Sequence, residues 1–185
     1  MPRLSQATPP ATSRIEFIAS PMLDMLNAMY FTSLVPQIEG VEGWPLQLRR
    51  EMAPDLLAEL DFLYNYPAGD HGILGMLGDK LFAHREAWGD VASLLAYLRA
   101  LPEGAGESDQ RPGIQSLIYE TTFKFLDAPD REPYEGFPPR EAIERRLRSL
   151  DDRDAAAIMP LYDRPDELRD RIVRLVERFY REHYE

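Results

Sequence analysis

His71 is the residue whose immediate neighbour best suits it to move a proton, because it follows Asp70 in the stretch YPAGDHG. A carboxylate beside an imidazole can orient the ring and stabilise its charged form, which is the start of an acid–base relay. A relay also needs a nucleophile or a second base at a usable spacing, and no serine, carboxylate cluster or other histidine supplies one. The remaining histidines, His84 and His183, lack a His-x-x-x-His or Glu-x-x-His partner, so no metal-ligand set is expected. The chain holds no cysteine. That removes thiolate metal sites, disulfides and a cysteine nucleophile together. No cofactor and no enzymatic reaction are expected.

Other motifs reduce to structure in the same way. GILGMLGDK places Gly72, Gly75 and Gly78 three apart, which is not the G-x-G-x-x-G of a dinucleotide fold. A phosphate-binding loop would need Ser or Thr after Lys80, where Leu81 stands. Glycines at this spacing lie toward one side of a helix, and close packing is the expected role. Glu59 and Asp61, two apart on a helical stretch, point in different directions. They are expected to be solvated rather than to act as a carboxylate pair. Arg145, Arg146 and Arg148 alternate with acids, the pattern of a salt-bridged face.

Methionine and aromatic side chains are what remain. At helical spacing such stripes pack a core, yet thioethers and rings also line cavities between helices. The candidate ligand-binding set is Met25, Met29, Tyr30, Tyr64, His71 and Trp88.

With 185 residues and 44% hydrophobic content, the chain suits one domain with a substantial core. No run approaches the roughly 20 apolar residues of a membrane helix. The N-terminal MPRLSQATPPATS lacks the apolar segment of a secretory signal. A cytoplasmic protein without membrane contact is expected. The formal net charge is −11, and residues 1–138 account for −10 of it. An acidic surface repels phosphate backbones, so this chain should not bind nucleic acid by itself.

Helices must position whatever site exists. Residues 1–13 read as a disordered tail, and Ile15 to Ile18 as at most one short strand that needs a partner elsewhere. Ser20 is an expected N-cap with Pro21 at the first helical position, opening a helix to about Val35. Further helices are expected over Trp44–Met52, from Pro54 through PDLLAELDFLYNY, and over 73–82, 89–101, 113–126 and 139–149. Asp154–Leu161 and Pro165 to the end complete the set. The fold class is therefore all-α, a single multi-helix domain with at most one short N-terminal strand. Its expected parts are the tail (1–13), a helical effector domain (14–161) and a C-terminal amphipathic helix (162–185). In that helix Leu168, Ile172, Leu175 and Phe179 are spaced 4, 3 and 4, an a/d-type seam. No stop signal follows it; a chain ending in mid-helix and a lead into another domain both fit.

Three stretches, FIASPMLDMLNAMYF, LRREMAPDLLAELDFL and ASLLAYLRALP, resemble the N-terminal helical region of bacterial transcriptional regulators that carry an ArsR-type winged helix. The resemblance covers roughly the first 100 residues, and beyond them only the order of helices. It implies a regulatory domain, for ligand sensing or dimerisation, that works as a homodimer with an apolar small-molecule effector. DNA would be reached only through a winged helix beyond Glu185, absent from this chain. The sequence departs from a complete regulator in having no basic recognition helix, no wing hairpin and no Cys-x-Cys site, so no metal-sensing role carries over. The alternative is a stand-alone acidic helical binding protein or chaperone for another protein. Redox-enzyme maturation chaperones are of that kind, and AGDHG only approaches their Glu-Pro-x-Asp-His-like signature.

Overall fold

In the computed structural model, which describes residues 20–37, 42–66, 72–104, 113–123 and 137–184, Ser20 opens the first helix. Its backbone is extended and its Oγ accepts the Leu23 N–H at 3.3 Å. The same hydroxyl donates to the Trp88 carbonyl at 2.9 Å, so the cap also ties α1 (Pro21–Leu34) to a distant segment. The hydroxyls of Thr32 and Ser33 lie inside the core and donate back to the carbonyls of Ala28 and Tyr30 at 2.7 and 2.8 Å. Returning the bond to the helix's own backbone is what makes their burial tolerable.

The remaining helices are α2 (Trp44–Glu51), α3 (Pro54–Asn65), α4 (Ile73–Leu81) and α5 (Val91–Arg99). They are followed by α6 (Ile114–Phe123), α7 (Arg140–Leu150), α8 (Asp152–Tyr162) and α9 (Pro165–His183). A proline stands in the first turn of α1, α2, α3 and α9, where its missing N–H has no helical partner to lose. Asp90 accepts the Ser93 N–H at 2.7 Å, which is why α5 begins at Val91 and not at 89. α8 begins earlier than expected, at Asp152, because Asp151 accepts the Arg153 N–H at 2.7 Å. The architecture is all-α, with no strand among the described residues. The expected strand Ile15–Ile18 and the tail 1–13 lie outside them. No helix among the described residues is long and apolar enough to cross a membrane.

α9 is the central element, packing against α3, α5, α6 and α8. Leu168, Ile172, Leu175 and Phe179 are each 2% exposed or less, and Val176 between them is fully buried. The a/d seam is thus closed inside the chain by its own helices. It belongs to the same apolar cluster as the buried residues of α1, α3 and α4.

Candidate ligand cleft

Two of the aromatic residues singled out from sequence meet across α1 and α3. Tyr30 and Tyr64 have ring centroids 5.8 Å apart, inclined at 49°. They line a cleft of about 170 Å³. Leu26 and Asn27 complete its α1 wall, and α4 supplies Leu74, Gly75, Gly78 and Asp79, with Phe82 just past the helix end. The Tyr64 hydroxyl donates to the Leu26 carbonyl at 3.1 Å. Burial, with Tyr30 close by as a lesser cause, pushes its phenol well above the ordinary tyrosine value. Tyr64 therefore stays neutral and fixed, a wall rather than an acid or base.

The glycines of α4 divide between two roles. Gly72 donates its N–H to the Tyr64 carbonyl at 2.7 Å, and a Cβ there would stand 2.4 Å from that carbonyl group. This is the close packing expected of the run. Gly78 behaves otherwise: a Cβ on it would meet nothing within 4 Å, because that face of α4 fronts the cleft. The repeat was legible as a packing signal and not as a cleft floor, since spacing alone does not say what faces a glycine.

The other expected ligand residues are not gathered here. Met25 and Met29 are fully buried in the core and do not line the cleft. Trp88 stands behind it: its Nε1 donates to the Leu81 carbonyl at 2.7 Å, and its ring meets Phe82 edge-on at 6.3 Å. It braces the rim without lining the cavity. His71 lies outside the described residues. Leu26, Asn27, Leu74, Asp79 and Phe82 were not singled out from sequence as cleft residues, since Leu26 and Leu74 are buried apolar positions like many others and nothing local distinguishes Asn27, Asp79 and Phe82.

Several of the remaining chemistry-bearing groups are held in contacts within the chain. Glu59 and Asp61 do face different directions, but the expectation that both are simply solvated is corrected. Glu59 binds Arg171 of α9 at 2.6 and 2.7 Å, and Asp61 binds Arg49 of α2 through two contacts of 2.6 Å. Packed neighbouring helices put a guanidinium opposite each. Of the three arginines expected on a salt-bridged face, Arg148 joins Glu144 and Asp152 along the α7–α8 surface, whereas the Arg146 Nε is buried without a hydrogen-bond partner among the described residues. His84 is buried against the Tyr97 ring at 5.0 Å, its Nδ1 3.2 Å from Glu86. No group of three or more potential metal ligands occurs among the described residues.

Among the described residues, two other grooves are larger. One of about 360 Å³ between α3 and α9 is lined by the charged residues Asp55, Glu59, Glu167, Arg171, Arg174 and Arg178, among which Arg171 pairs with Glu59 and Arg178 with Asp55. Another of about 330 Å³ lies between α2 and the end of α9, beside Trp44 and His183. Among the described residues, the α1–α3–α4 cleft combines three aromatic residues with one charged side chain, Asp79, as the α2–α9 groove combines Trp44, Phe179 and Tyr184 with Glu51; the former is the one that holds Tyr30 and Tyr64. Comparison of the chain with protein-family models, curated proteins and solved structures gives no match.

Proposed function

We propose that the chain is the ligand-sensing and dimerisation module of an ArsR-like transcriptional regulator, with DNA contact left to a winged helix that this sequence does not contain. In this reading it is a cytoplasmic homodimer that catalyses no reaction and takes a small effector in the α1–α3–α4 cleft. The observation that supports it is the double role of α3. Tyr64 near its end walls the cleft, while Glu59 and Asp55 bind Arg171 and Arg178 of α9. The Arg171 guanidinium also lies 4.5 Å over the Phe62 ring. An occupant that displaces Tyr64 therefore acts on the helix tied to α9, and α9 is the element that would hand a movement onward. Such coupling requires the effector to prefer one arrangement of α3 and α9 over the other.

Sedimentation velocity of the purified chain tests this, with and without a compound that thermal shift identifies as a binder. Binding should change the monomer–dimer balance, and Glu59→Gln should blunt that change. A strict monomer in every condition, with the parent protein also monomeric, ends the reading.

One observation favours the second reading, a stand-alone helical binding protein. Phe31 and Trp44 are 48% and 53% exposed and meet edge-to-face at 6.4 Å. Exposed aromatic pairs are typical of protein–protein interfaces. If Trp44→Ser leaves self-association intact, that face is free for another protein and the second reading gains.

A further inference from the structure

We infer that the α1–α3–α4 cleft takes a small organic ammonium ion, a protonated amine carried on an apolar body of about one ring. This rests on the sensing role proposed above and names the chemistry of its ligand.

Size sets the first limit. At about 170 Å³ the cleft falls below the roughly 300–1,000 Å³ of sites for drug-sized ligands, so one ring with a short arm fills it. The bare face at Gly78, where a Cβ would meet nothing within 4 Å, leaves room for a flat group against the helix. Tyr30, Tyr64 and Phe82 supply aromatic surface around it. Ring faces carry the negative part of the aromatic quadrupole and attract cations, the basis of aromatic ammonium sites.

Charge sets the second limit. Among the described residues, Asp79 is the one charged side chain lining the cleft, and it is exposed on the last turn of α4. A helix C-terminus adds partial negative charge in the same place. The neighbouring cation, Lys80, pairs with Glu120 at 3.0 Å. A formal net charge of −11 further enriches cations and repels anions around the chain. An anion would meet opposition from every one of these sources. A neutral molecule would use the rings but leave the charge unanswered.

Calorimetric titration of the purified chain at neutral pH with three probes of one shape tests the inference: 2-phenylethylamine, 2-phenylethanol and 3-phenylpropionate. The amine should bind about fivefold more tightly than the alcohol, the scale of one ion pair near a solvated surface, and the carboxylate should bind weakest. Asp79→Asn should erase the difference between amine and alcohol. Gly78→Leu should abolish binding of all three while its thermal melting stays at or above the wild-type value, since leucine favours the helix over glycine. An amine that binds no better than the alcohol, or is indifferent to Asp79→Asn, overturns the ammonium assignment. If the alcohol or the carboxylate then binds in a manner lost in Gly78→Leu, the sensing cleft itself survives. Binding of none of the three, or binding indifferent to Gly78→Leu, removes the cleft reading along with it.

Discussion

Gly72 and Tyr64 touch backbone to backbone: the Gly72 N–H donates to the Tyr64 carbonyl at 2.7 Å, and a Cβ on Gly72 would stand 2.4 Å from that carbonyl carbon and oxygen. The end of α3 and the start of α4 are thereby held at a separation that only glycine permits. Gly72→Ala should force them apart and cost about 1–3 kcal/mol, the usual range for overpacking. Gly78→Ala, which meets open space, should instead stabilise by up to about 1 kcal/mol through helix propensity. Urea denaturation of the two variants reads the contrast directly; equal effects would mean that the contact does not constrain the fold.

Ser20 does two things with one hydroxyl, accepting from Leu23 N–H and donating to the Trp88 carbonyl. Ser20→Ala removes both and leaves a buried carbonyl short of a partner. The expected loss is about 1–2 kcal/mol, the upper part of the range for cap removal. A thermal melt indistinguishable from wild type would show that the strut to Trp88 carries no weight.

Tyr64 predicts an alkaline limit. Burial raises its phenol above the ordinary value of 10.0, so the folded state holds the proton while the unfolded chain begins to release it near pH 10. Its contribution is complete below that pH and is lost as the pH rises above it. The melting temperature should therefore fall from about pH 10 upward. Tyr64→Phe should flatten that fall, at a cost near neutral pH of about 1 kcal/mol for the lost bond to Leu26. An unchanged alkaline profile in the variant would place the titration elsewhere.

Phe179 distinguishes a core helix from an oligomer seam. It is fully buried within the chain, so Phe179→Ala should destabilise the fold itself by about 3–5 kcal/mol. Circular dichroism and light scattering on one sample separate the outcomes. A variant that stays folded but falls from dimer to monomer would restore the seam to the interface.

Helix starts were readable because their causes are local. Ser20 acts on an N–H three residues away, and first-turn prolines need no distant partner; the caps at Asp90 and Asp151 are as local, yet the expected starts of those two helices lie two residues off. The cleft was readable only in part. Tyr30 and Tyr64 could be named as aromatic, but their meeting depends on how α1 and α3 cross. Met25 and Met29, equally conspicuous in sequence, turn the other way into the core. Glu59 was misread as solvated because its partner, Arg171, is 112 residues away, and no local pattern announces such a pair.

The sequence by itself determined an acidic, all-helical chain without cysteine chemistry, since composition, caps and hydrophobic period act over a turn or two of backbone. Tertiary structure decided which faces meet. It enclosed the α9 seam within the chain, gave Gly72 to packing and Gly78 to a cleft, and left Asp79 as that cleft's single charge among the described residues. The physical reason is range. Periodicity selects the buried side of each helix, whereas the angle and partner of each buried side emerge only from packing all of them into one core.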